Sequence, residues 1–293
     1  MRLGDLAAPP QRDVDGAPGG VHTAARRGGG IEFAEHRDYA PGDDLRHVDW
    51  RAFARSDRYT VKRFEQEVHA SVTLLLDASA SMHIDAGPGP SKMAAARLIC
   101  ASLAHWIIGH GDAVGLVIAG RGIDIAAAGG KAQLRRIITH LASAAAQGST
   151  GFDQLDRTVL RSPERRGTVI AVSDLLAEPA LVLAPLVRLR RLGPQVLVVC
   201  TLHPTELDLS FPGAVELVCA ETQRRDRLDP RVVRGLYREL MQDHLEALRG
   251  RAMQGGLGFL QVDLATAPER VVRQVAASLA KRGRSSFAGS RVA

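Results

Sequence analysis

Four short apolar runs along the middle of the chain limit its fold more than any other feature. SVTLLLD (71–77), AVGLVIA (113–119), TVIAVSD (168–174) and QVLVVCTL (195–202) are continuous rather than alternating, and two of them end in aspartate. A run with no polar side belongs to a strand covered on both faces, which is the condition of a parallel sheet. Between and after these runs, helical spacing marks 92–108, 131–145, 152–161 and 179–192, with Ser91 as N-cap of the first. Such alternation predicts right-handed βαβ crossovers and a doubly wound, mostly parallel α/β sheet with helices on both faces. GIDIAAAG (122–129) follows the second run after only Gly120 and Arg121. That link is too short for a crossover, so the segment predicts one antiparallel edge strand. Residues 230–250 read as a long amphipathic helix, 258–264 as a last strand and 268–281 as a closing helix.

The flanks differ in kind. Residues 1–30 are rich in Gly, Ala, Pro and Arg without hydrophobic period and predict an extended or disordered tail. Residues 31–67 form a charged segment with a turn signal at Pro41-Gly42-Asp43-Asp44 and a short alternating run at 59–64, an attachment with short strands. The sheet domain then occupies 68–282, and 283–293 form a flexible tail.

With 293 residues, 45% of them hydrophobic and 24% charged, the chain has the ordinary globular mix and enough apolar surface for a core. The net charge of +6 is spread over arginines interleaved with acids and comes with no nucleic-acid motif, so binding to nucleic acid is not the expected use. Cys100, Cys200 and Cys219 are far apart and form no C-x-x-C pair, which favours a reduced, cytoplasmic setting. The opening MRLGDLAAPPQRDVDG lacks the apolar centre of a signal peptide. The longest apolar stretch, 98–108, is about eleven residues against the roughly twenty of a spanning helix, so no membrane span is expected.

In an open α/β sheet, ligands collect at the carboxyl ends of the strands. The first run ends DASASM, which places Asp77, Ser79 and Ser81 on one loop before a helix. Asp174 ends a second run, and GST at 148–150 adds Thr150 before another helical stretch. Five hard oxygen donors from three loops suit Mg2+, or another divalent cation such as Mn2+ or Ca2+. Two carboxylates and neutral hydroxyls would leave the ion electrophilic and open to an acidic group from outside.

The spacing Asp77-x-Ser79-x-Ser81 with later Thr150 and Asp174 resembles the metal-ion-dependent adhesion site (MIDAS) of von Willebrand factor type A (vWA) domains. Upstream, EFAEHRDYAPGDDLRHVDW (32–50) followed by VKRFEQE resembles the signature of domain-of-unknown-function family fifty-eight, bacterial vWA-like proteins often paired with MoxR-type AAA+ ATPases. The resemblance spans about residues 28–263 and implies a metal-dependent protein-interaction module, an adaptor or co-chaperone to the ATPase or its client, rather than an enzyme. Within the signature, Arg37, Tyr39, Asp43, Asp44, Arg46, Asp49 and Trp50 form the candidate partner-binding set. Two departures stand out: the threonine loop reads GSTGFDQL where vWA domains more often have Asp after Thr, and many relatives carry transmembrane helices ahead of this region.

Blander readings compete with each of these. Asp77, Ser79 and Ser81 also suit a polar turn capping the next helix, and 37–50 also suits a solvated hairpin whose ion pairs are each worth at most about 1 kcal/mol. His36, His47, His69 and His83 show no H-x-x-x-H spacing for zinc, and Cys100 and Trp106 read as core. A haloacid-dehalogenase-like phosphatase needs a second aspartate where this chain has Ser79. Neither a G-x-S-x-G elbow nor a P-loop occurs. Two alternatives remain open at this point: a metal-dependent hydrolase, and a basic scaffold for nucleic acid or anionic surfaces.

Overall fold

The computed structural model describes residues 31–39, 48–56, 59–66, 70–83, 91–146, 167–211, 213–219, 224–264 and 266–288. The chain divides into two units, with the boundary between His69 and Ala70.

In the first unit, β1 (Ile31–Asp38) pairs antiparallel with β2 (Thr60–Gln66), with a register shift between Phe33 and Glu35. The seven-residue helix α1 (Trp50–Ser56) lies between them in sequence. Tyr39 N donates to the Tyr59 carbonyl at 2.9 Å and Asp49 N to the Thr60 carbonyl at 2.8 Å. The Phe53 ring stacks on Tyr59 with centroids 4.4 Å apart.

The second unit is the predicted α/β sheet. Its six strands run β10-β7-β6-β3-β4-β5: β3 is Ser71–Leu76, β4 Ala113–Ile118, β5 Ile123–Ala128, β6 Thr168–Ser173, β7 Gln195–Leu202 and β10 Gly258–Asp263. Every neighbouring pair is parallel except β4–β5, the expected antiparallel edge. A register shift at Gly115 marks this edge; a Cβ there would meet the Ile125 carbonyl oxygen at 2.7 Å. Glycine is therefore what lets the two backbones approach so closely.

Why the four runs are apolar throughout follows from the packing. Val72, Leu74 and Leu76 of β3, Ile170 and Val172 of β6, and Leu197 and Val199 of β7 pack into one layer. That layer is closed by α2 (Lys92–Gly109), α3 (Gly130–Ser143) and α7 (Pro268–Ala288). The alternate residues Leu75, Val169, Ala171, Val196, Val198 and Cys200 fill the opposite layer under α4 (Pro179–Arg191) and α6 (Pro230–Gln254). Cys100 and Trp106 are buried on α2, as their apolar surroundings imply. The expected helix at 152–161 lies outside the described residues.

Two further elements carry no strong sequence signal. The five-residue helix α5 (Pro204–Asp208) follows β7, and a small hairpin pairs β8 (Val215–Val218) with β9 (Arg225–Leu228). Among the described residues, no helix is long and apolar enough to cross a membrane.

Candidate functional site

The strand order reverses between β3 and β6. After β3 the chain moves toward β4 and β5; it later returns to the other side of β3 and continues outward through β6, β7 and β10. The helix after β3 packs on one face and the helix after β6 on the other. Their loops therefore part at the carboxyl ends of these two strands, which is where an open α/β sheet forms its crevice. Both acidic runs end there.

Parallel register places Leu76 beside Val172, and the ladder extends one step, with Asp77 N donating to the Val172 carbonyl at 2.9 Å. Asp77 thus lies next to Ser173, whose hydroxyl donates to Asp77 Oδ2 at 2.6 Å. The Ser79 amide donates to Oδ1 at 2.8 Å, closing a side-chain turn of the kind Asp favours. The chain then enters a 3-10 turn at Ala80–His83, with Ser79 Oγ and Ser81 Oγ 3.0 Å apart.

The same Ser173 hydroxyl accepts from Leu175 N at 3.1 Å, so one neutral side chain fixes both strand ends. Leu175 has φ of 54°, a left-handed conformation that a branched side chain rarely adopts, and is buried. Strain of this kind persists where the surroundings over-determine it. Here they do: the Leu175 carbonyl lies 2.9 Å from a His244 ring nitrogen, and the side chain is held in the α4–α6 layer.

Beside Asp174 stands a residue that sequence reasoning missed. Lys92, in the first turn of α2, is fully buried, and its ammonium bonds Asp174 Oδ2 at 2.8 Å and Glu206 Oε1 at 2.5 Å. Glu206 comes from α5, after β7, and its other oxygen accepts from His203 N at 2.9 Å in a capping box. The one sequence signal was a lysine opening a helix that is otherwise apolar on its inward side; Glu206 and Ser173 gave none.

The electrostatics are uneven. Burial pushes the Asp77 carboxyl above its ordinary value; the hydrogen bonds from Ser173 and Ser79 pull it down, and the like charge of Asp174 adds to the rise. Hydrogen bonds to a charged group are each worth about 1.5–3 kcal/mol, against a desolvation penalty of several kcal/mol per ion. Burial is the largest influence, and the hydrogen bonds only partly offset it. Lys92 resolves the other way: burial pulls its ammonium down, but Asp174 and Glu206 outweigh it and the net direction is up.

The donor set suits a hard cation. Asp77 Oδ1 accepts from the Ser79 amide and Oδ2 from the Ser173 hydroxyl with lone-pair capacity to spare, the two hydroxyls are neutral oxygen donors, and among the described residues Asp174 Oδ1 has a long contact of 3.5 Å to Leu176 N. Among the described residues, the charge that acts on Asp77 is the like charge of Asp174, and no three His, Cys, Asp or Glu side chains gather into a cluster. The structure thus brings Asp77, Ser79 and Ser81 together and sets Asp174 beside them. Thr150 lies outside the described residues.

Of the candidate partner-binding set, Arg37 sits on β1 opposite Val61, Tyr39 is half-buried with its ring 6.4 Å from Tyr59, Asp49 is buried, and Trp50 is exposed with its ring 6.4 Å from Phe53. Asp43, Asp44 and Arg46 lie outside the described residues.

Comparison with known proteins places this architecture. Uncharacterised proteins of Mycobacterium bovis and Mycobacterium tuberculosis are each 30% identical to it over 228 residues, covering 75% of this chain and 71% of theirs. A solved aerotolerance-related membrane protein of Bacteroides fragilis shares the fold, with a TM-score of 0.50 and 16% identity over 72% of this chain and 99% of that one. Residues 35–247 match the family described as protein of unknown function DUF58. The chain belongs to the DUF58 family.

Proposed function

We propose that this chain is a non-enzymatic protein-interaction module that holds a divalent cation, Mg2+ in the first instance, at Asp77, Ser79, Ser81, Asp174 and Thr150. The cation is offered to an acidic side chain of a protein partner, and the partner is a MoxR-type AAA+ ATPase or its client in a reducing cytoplasmic setting. The observation that carries this reading is that two buried aspartates end adjacent parallel strands at the crevice, near enough for the charge of Asp174 to act on Asp77. When bound, the ion would supply a Lewis-acidic position for a carboxylate from outside.

The residues have separable tasks. Asp77 supplies the charge, and Ser173 and the Ser79 amide orient its two oxygens. Ser79 and Ser81 present neutral oxygens, which add no negative charge to repel an incoming carboxylate. Asp174, shared with Lys92, supplies the second carboxylate.

The test is capture of a MoxR-type ATPase from the same genome by the purified chain, in Mg2+ or EDTA, for wild type and Asp77→Ala. Capture is expected only for wild type in Mg2+. Equal capture under all four conditions removes the metal bridge.

A further inference from the structure

We propose that Lys92 is a built-in counter-ion that sets the cation affinity of this site by competing for Asp174, with Glu206 as its alternative partner. The inference rests on the cation reading above and concerns its regulation.

The ammonium is completely enclosed, in a helix whose other inward residues are apolar, and lies between two carboxylates, one just after β6 and one on α5. Asp174 belongs to the crevice; Glu206 is anchored on α5, with its second oxygen tied to His203 N. Two carboxylates, Asp174 and Glu206, thus share one base, and the charge of Asp174 also acts on Asp77. A lone buried lysine would be costly, but one with two carboxylates is stable and can favour either.

A divalent ion taking Asp174 would come within a few ångströms of Nζ, where salt screens poorly and repulsion between cations is strong. Glu206 relieves that conflict. As the ion takes Asp174, the ammonium can shift its weight to Glu206, and no buried charge is left without a partner. Wild type would therefore hold cation weakly, leaving room for a partner carboxylate to contribute a large share of the affinity.

The two sides of this balance predict effects of opposite sign. Lys92→Met removes the competitor, so the affinity for Mn2+ alone should rise about tenfold or more, the equivalent of about 1.4 kcal/mol. Glu206→Gln confines the ammonium to Asp174, so affinity should fall. If Glu206 acts through Lys92, the double variant should bind nearly as tightly as Lys92→Met, because the second change then has little left to act on.

The measurement is electron paramagnetic resonance of free Mn2+ titrated with the full chain, with circular dichroism to establish folding and Asp77→Ala to locate the site. Tighter binding in Lys92→Met, weaker binding in Glu206→Gln and a double variant close to the former support the inference. Should Lys92→Met fail to fold, the double variant, which leaves one fewer carboxylate unpaired, must still bind more tightly than wild type. Unchanged or weaker binding in a folded variant lacking Lys92, with wild-type binding abolished by Asp77→Ala, overturns this inference and leaves the cation reading standing. Absence of Mn2+ binding in every variant, or binding indifferent to Asp77→Ala, overturns both.

Discussion

Ser173 holds two strand ends with one hydroxyl, donating to Asp77 Oδ2 and accepting from Leu175 N, and both partners are buried. Ser173→Ala leaves a carboxylate oxygen and an amide without partners where water does not easily reach. It should cost about 1–3 kcal/mol in urea denaturation. Ser81 is half-buried, so water can replace its contact with Ser79, and Ser81→Ala should cost less than about 1 kcal/mol. Equal costs would mean that the Asp77 pocket is wet in solution. Asp77, Ser79, Ser81 and Asp174 were legible as neighbours because each ends, or closely follows, an apolar run, and strand ends converge in a parallel sheet. Lys92 and Glu206 were not. A lysine in a first helical turn usually faces water, and Glu206 lies where no apolar run or helical spacing marks an element; only the fold brings the two within 2.5 Å of each other.

The short helix α5 depends on neighbours that its five residues alone could not replace, since helices of that length are unstable in isolation. Its last residue, Asp208, accepts from the guanidinium groups of Arg234 and Arg238 on α6, and Tyr237 donates to the Glu206 carbonyl at 2.6 Å. The hydrogen bonds from Arg234 and then Arg238 hold the Asp208 carboxyl down at about 2, from an ordinary 3.8. A lowered carboxylate contributes stability that is complete above the unfolded value and is lost as pH falls through the folded one. The stability difference between wild type and Asp208→Asn should therefore be constant above about pH 5, fall as pH drops toward 2, and vanish only near pH 1, below both values. A difference independent of pH would show that the ion pairs are absent in solution. The elements missed in the sequence are of this dependent kind: α5, α1 and the β8–β9 hairpin span four to seven residues each and lack an apolar period. The long strands and helices were legible because burial on both faces of the sheet dictates their composition.

At the scale of the molecule, the sheet separates two core layers, and the crevice is where loops leading into each of them part. Asp77 leads into α2 of one layer and Asp174 into α4 of the other, so the site inherits its geometry from both. That inheritance requires the central strands to act as a rigid partition, with a change on one face leaving the other undisturbed. Ile107 of α2 and Leu248 of α6 are fully buried on opposite faces. Ile107→Val should cost about 0.5–1.5 kcal/mol and Leu248→Ala about 2–5 kcal/mol, the range reflecting how far each site can collapse around the lost volume. With no shared packing partners, the double variant should lose their sum to within about 0.5 kcal/mol, with the denaturant slope unchanged. Coupling well beyond that, of about 1 kcal/mol or more, would mean that the sheet passes strain between its layers. Asp77 and Asp174 would then move with respect to each other whenever either layer is perturbed, and a fixed site between them would be untenable.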